Sequence, residues 1–176
     1  MVDKKYSYEI HRVNAIVRKN RKGKIKGEFI VIEIKEMTRI YADEVIKMMR
    51  IFYTSPAVHT NGSEEIFFND VENCINNNPY LEGYVFVEND IVLGYAMLAK
   101  SFSTEFGKPC IWIEDLYLRP EYRGKNIATE FFTFLEEKYT NVIFRLEVEA
   151  ENERAVYVYR KNGFEVLPYM EMKKEK

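Results

Sequence analysis

Ile111-Trp-Ile-Glu-Asp-Leu-Tyr-Leu118, running on through Arg119-Pro-Glu-Tyr-Arg-Gly-Lys-Asn-Ile-Ala128, is the stretch that decides the fold. Its first eight residues are mostly apolar, β-branched or aromatic, and predict a buried strand. Arg119-Pro120 ends that strand, because proline has no N–H for the ladder and restricts the residue before it. From Ile127 the apolar positions change to helical spacing (Ala128, Phe131, Phe132, Leu135), with Ile127 and Phe134 flanking. The turn between, Arg123-Gly-Lys-Asn-Ile-Ala128, is small, basic and backbone-accessible. It opens a helix whose first N–H groups lack intrahelical partners and carry partial positive charge, so a diphosphate would suit it.

Working outward, Phe29–Ile34 reads as a strand, and a helix near Thr38 has Ile40, Val45, Ile46, Met48 and Met49 on its apolar side. Tyr53–Gly62 is a loop by its Pro, Asn and Gly, and Ser63 caps a second helix ending near Asn76–Pro79. Tyr84–Glu88 and Ile91–Lys100 flank the hairpin tip Asn89-Asp90. After the Ile127–Tyr139 helix come a strand over Val142–Val148 and a helix from about Glu153 to Lys161, closed by Asn162-Gly163. Phe164–Val166 and Tyr169–Met172 are expected to form a terminal strand pair.

The chain has 176 residues, 47% of them hydrophobic, enough for one core. Residues 1–29 carry a charge of +6, which leaves −8 for the rest of a chain whose net charge is −2. That contrast makes 1–29 a basic arm or edge hairpin ahead of a single domain over 30–176. The acidic body disfavours a nucleic-acid partner, and the arm alone binds phosphate without specificity. Cys74 and Cys110 are far apart and show no metal spacing, so free thiols and no metal are expected. No apolar run approaches the ~20 residues that cross a bilayer, and the N-terminus has no signal core, so the expectation is a cytoplasmic protein without membrane contact.

Two motifs resemble those of the GNAT superfamily of N-acetyltransferases. The first is the turn, where Arg123, Asn126 and Ala128 fill the family's Arg/Gln-x-x-Gly-x-Gly/Ala, with Asn126 in place of a glycine and Gly124 as an extra one. Asn enters left-handed backbone geometry more readily than most residues, so the loop shape can persist. The second is Asn152-x-x-Ala155-x-x-x-Tyr159-x-x-x-Gly163-Phe164. The element order from the Phe29 strand onward is also similar to the family's. The resemblance implies an α/β (α+β) fold: a mixed, mostly antiparallel sheet, splayed between the fourth and fifth strands and flanked by about four helices.

It further implies acetyl-CoA as cosubstrate, held by Leu116, Tyr117, Leu118, the turn Arg123, Gly124, Lys125, Asn126, Ile127, Ala128 and Thr129, and by Asn152 and Tyr159. Tyr159 would protonate the leaving sulfur, and the Leu116 amide would be the oxyanion donor at a bulge. Glu114 would be the base, as is the Glu of a similar Glu-Asp strand in diamine acetyltransferases. Glu147 on the adjacent strand is the alternative base. Acids on the acceptor side (Glu64, Glu65, Glu114) suggest a cationic small-molecule amine. A protein amino terminus or lysine, or a noncatalytic acyl-CoA-binding module, are the competing readings. Exposed terminal strands would suit a homodimer.

Overall fold

The computed structural model describes residues 11–13 and 32–175. In chain order the elements are β1 His11–Val13, β2 Ile32–Glu36, α1 Ala42–Tyr53, α2 Glu64–Ile75, β3 Leu81–Glu88, β4 Ile91–Ser103, β5 Lys108–Leu118, α3 Ile127–Lys138, β6 Ile143–Leu146 and α4 Glu153–Lys161. The strands form one sheet in sequence order, antiparallel throughout except for parallel β5 and β6. Counted from the strand expected at Phe29, β5 and β6 are the fourth and fifth. Of the basic arm, only β1 is described, paired with β2; the rest of residues 1–29 lies outside the described residues.

Local chemistry explains most element ends. Asn89 and Asp90 both take positive φ (48° and 63°), as a two-residue turn matched to strand twist requires. The Ser63 side chain accepts a hydrogen bond from the Ile66 amide at 3.2 Å and so caps α2. Gly163, at φ 84°, follows α4 in the left-handed geometry that ends many helices. Thr38 makes no side-chain cap; a 3₁₀ turn over Arg39–Tyr41 intervenes before α1. Ile40 therefore sits outside the helix and is 79% exposed, while Val45, Met48 and Met49 are buried as expected.

The sheet is covered on both faces. One layer joins Ile34, Tyr84, Phe86, Leu98, Ile111 and Ile113 to Ile127, Phe131, Phe132 and Leu135 of α3. The other joins Val85, Tyr95, Met97 and Tyr117 to Val45, Met48 and Met49 of α1 and Phe67 and Val71 of α2. β5 changes sides midway. Ile111 and Ile113 belong to the α3 layer, but two steps further Tyr117 lies in the α1/α2 layer, and Leu116 and Leu118 pack against the α3 layer. The register explains it: Leu98 pairs with Ile113 and Met97 with Asp115, so Glu114 is one residue too many, a β-bulge.

The expected C-terminal strand pair is not present. Residues 164–175 carry no regular secondary structure, and Val166, Met170 and Met172 are 75%, 87% and 87% exposed. Pro168 removes a ladder donor between the two segments, and no second layer covers the face their alternation would create. The strand expected over Val142–Val148 is shortened to Ile143–Leu146, because its last partner, Ile113, immediately precedes the bulge.

Close backbone approach fixes β4 against β5 at the site. A Cβ on Gly94 would lie 2.2 Å from the Tyr117 carbonyl oxygen and 2.8 Å from Leu118 Cδ2. Gly94→Ala should therefore cost about 1–3 kcal/mol of stability. Urea denaturation reads this directly, and an unchanged midpoint would contradict the packing.

Candidate active site at the β5–β6 gap

Hydrogen-bond alternation along β5 determines which backbone groups are available. The Arg119 amide donates to the Leu93 carbonyl at 2.9 Å. In an antiparallel ladder hydrogen-bonded pairs alternate with non-bonded ones, so Tyr117 and Asp115 bond β4 while Leu116 and Leu118 turn their backbone groups the other way. Since β6 pairing stops at Ile113, Leu116 and Leu118 face a gap instead of a strand. The Leu118 carbonyl is taken by Arg123 Nε at 2.8 Å, and by the same alternation the Leu116 amide is turned away from β4. Tyr117 differs from its expected binding role. Its backbone belongs to the β4 ladder and its ring is 4% exposed, because the bulge turned it into the α1/α2 layer.

The turn beyond β5 has two left-handed residues, Gly124 (φ 76°) and Asn126 (φ 62°). Asn126 thus supplies the geometry for which the family pattern has glycine. It makes no side-chain cap, and the first intrahelical bond runs from the Glu130 amide to the Asn126 carbonyl at 3.0 Å. The Ile127, Ala128 and Thr129 amides precede it and head the helix. Ile127 buries its side chain, so only its backbone serves the turn. Lys125 Nζ stands 4.4 Å from the centre of the Tyr122 ring. Arg154, not singled out in the sequence, adds a cation: its Nη2 is 3.6 Å from where a Gly124 Cβ would be.

Tyr159 packs its ring against Phe132 and Phe164, with centroids 6.1 and 5.9 Å away. Burial raises its hydroxyl to about 12. It lines a cavity of about 1410 Å³ beside β6, together with Trp112, Glu147 and Glu171. This cavity does not reach the phosphate-type turn; Val166, Leu167, Tyr169 and Met170 of the tail also line it. Asn152 spends its Oδ1 capping α4 through the Ala155 amide at 3.2 Å, which leaves its amide nitrogen for other contacts.

The acids divide sharply. Glu114 is exposed at the bulge, and its pKa is raised by partial burial and then by Glu171 and Asp70. Glu147 is pushed up to about 7 by burial, by a hydrogen bond shared with Glu171 and by the charges of Glu171 and Glu114. Glu147 and Glu171 line the same cavity, and Glu114 is near enough for its charge to be felt at Glu147. Glu171, from the tail, was missed in the sequence because the tail read as a surface strand. Glu64 does not join them: Arg50 holds it in a bidentate pair at 2.6 and 2.7 Å. His59 reaches across to Glu149, Nε2 to Oε1 2.7 Å. Asp115 is 3% exposed and accepts hydrogen bonds from Tyr95 (2.8 Å) and Tyr53 (3.1 Å). No group of three or more His, Cys, Asp or Glu side chains among the described residues could hold a metal ion. Nor is any described helix long and apolar enough to cross a membrane.

Comparison with known proteins identifies the family. Residues 43–164 match the model of the acetyltransferase (GNAT) family, so the chain belongs to that family. It is 32% identical over 83 residues to thialysine N-epsilon-acetyltransferase of Mus musculus, a match covering 46% of this chain and 48% of the relative. The chain thus spans about half the length of that curated relative. A possible acetyltransferase from Clostridium difficile 630 superposes with a TM-score of 0.70 at 22% identity, covering 82% of this chain and 97% of the other. AAC(6')-Iy in complex with the bisubstrate analogue CoA-S-monomethyl-acetylneamine gives 0.66 at 13% identity, covering 82% and 98%.

If Glu171 holds Glu147 in its raised state, Glu171→Gln should lower the Glu147 titration midpoint from about 7 towards the ordinary carboxylate range. Carbon-13 NMR of labelled glutamate side chains would check this, and an unmoved midpoint would separate the two groups.

Proposed function

We propose that the protein is an acetyl-CoA-dependent N-acetyltransferase that acts directly on a primary amine of a cationic small-molecule acceptor. The observation that carries the reading is the gap beyond Ile113, where Leu116, paired with Ala96 of β4 on one side, has no β6 partner on the other. Buried ladder groups require a partner, and the pantetheine arm of a coenzyme can be one. Family membership supports it, as does the likeness to AAC(6')-Iy carrying a CoA analogue. The Arg123–Thr129 turn, with Arg154 alongside, is suited to the diphosphate, and Asn152 to the pantetheine through its amide nitrogen. When bound, acetyl-CoA supplies an activated acetyl thioester.

The chain's own groups cover the remaining requirements. A free alkylamine is largely protonated at neutral pH and must lose its proton before it can attack. Glu114, at the bulge and with its raised pKa, accepts that proton, directly or through water. The Leu116 amide donates to the developing negative charge, a contribution of about 3 kcal/mol for one fixed donor. Tyr159, held protonated by burial, gives a proton to the departing sulfur. Glu147 and Glu171 supply negative charge for a cationic acceptor. The name of the mouse relative, a thialysine acetyltransferase, is consistent with an acceptor of that class.

Incubation with acetyl-CoA and a panel of polyamines, lysine-like amino acids, aminoglycosides and amino-terminal peptides should release thiol with at least one cationic small amine. Tight coenzyme binding without turnover on any amine would make the protein a binding module. Tyr159→Phe should lower kcat by about 10- to 100-fold while coenzyme affinity stays within about twofold. An unchanged kcat would remove Tyr159 from the chemistry. Arg123→Ala should weaken coenzyme binding by about 3- to 10-fold with little change in kcat, and calorimetry would test it.

A further inference from the structure

We infer that Asp115 is a positioning residue: clamped by the Tyr53 and Tyr95 hydroxyls, it holds the Glu114 bulge and so aims the Leu116 amide and the Glu114 carboxylate into the gap. The inference rests on the acetyltransferase reading above and deepens it. Asp115 faces Met97 across the ladder, two places before Tyr117, in the layer beneath α1 and α2. An aliphatic side chain would fill that layer at no desolvation cost. A carboxyl group there must be satisfied, and both hydroxyls that satisfy it come from other elements, Tyr95 from β4 and Tyr53 from the end of α1.

What those hydrogen bonds discriminate is register. Without the extra residue, strand alternation would put Asp115 on the same face as Ile113, against α3, away from both tyrosines. Leu116 would exchange its role with its neighbours and bond β4 instead of facing the gap. The bulged state is therefore the one in which the carboxylate and both hydroxyls are paired. Even so paired, burial keeps the acid raised to about 6. Because the folded value lies above the ordinary one, Asp115 contributes least to stability once the pH passes about 6. A group kept at such a cost in a core layer is better explained by geometry at the neighbouring site than by stability.

Asp115→Leu and Asp115→Asn in the full chain test this, read by melting temperature, acetyl-CoA affinity, kcat, and the infrared band of carbonyl-13C acetyl-CoA at saturation. Asp115→Leu should lower the melting temperature only modestly, through the unpaired Tyr95 hydroxyl, and hold affinity within about threefold. It should abolish the downshift of the bound carbonyl and lower kcat about 100-fold, the scale of a misplaced catalytic group. Asp115→Asn, which still accepts a hydrogen bond, should restore most of the downshift and the rate. A full downshift and rate in Asp115→Leu would overturn the proposal. So would parallel losses of melting temperature, affinity and rate, since those describe a purely structural residue. Absence of acetyl-CoA binding by the unmodified protein would instead overturn the proposed function. Amide exchange at Tyr117, measured without ligand, then decides on Asp115: faster exchange in Asp115→Leu supports the clamp, and unchanged exchange rejects it.

Discussion

A single supernumerary residue in β5, Glu114 opposite Met97, is the constraint from which the site follows. It reverses side-chain parity, so that Asp115 and Tyr117 enter the layer under α1 and α2 while Leu116 and Leu118 pack towards α3. It coincides with the end of pairing to β6, whose register stops at Ile113 with Leu146. A regular strand would have continued that ladder and consumed its donors. The bulged one leaves them facing a gap, where water or a ligand must meet them.

The two sides of the gap are anchored differently. Phe132 of α3 touches both Tyr159 and Phe164, and Phe131 and Phe134 pack on Tyr84 and Phe86 of β3. The turn at Arg123–Thr129 opens that same helix. Tyr159 and the turn are therefore both anchored to one aromatic block on the sheet. Glu114 and Leu116, by contrast, are carried on β5, which at that point is tied to α1 and β4 through Asp115. Under the proposed function, binding belongs mainly to the α3 block and proton transfer is split between the two.

Much of this was legible in the chain. Strand, turn and helix over Ile111–Leu135 could be read because periodicity switches from two to 3.6 across Arg119-Pro120. Asn126 could be read because left-handed geometry has a chemical signature. Asp115 could not, since its meaning depends on Tyr53, 62 residues away in sequence, and on a bulge that local pattern does not encode. The tail misled for a complementary reason: Phe164–Val166 and Tyr169–Met172 alternate like strands, but alternation specifies a face without supplying a layer to cover it. Glu64 likewise read as an acceptor-side acid until Arg50, one helix earlier, claimed it.

Electrostatics links acceptor choice to proton transfer. A carboxylate that pairs tightly with an ammonium has its pKa lowered, which makes it a poorer acceptor for that ammonium's proton. One acid therefore serves badly as both clamp and base. Three acids can divide the work, because Glu171 and Glu114 raise Glu147 while Glu171 raises Glu114. A second positive group on the acceptor, paired with Glu147 and Glu171, would cancel their charge yet leave Glu114 unpaired and ready for the reacting nitrogen. An acceptor with only one amine would have to compete for the same three carboxyl groups, and much of its binding would be unproductive. Under the proposed function, an acceptor with two separated cationic centres would suit this division of charge better than a simple monoamine.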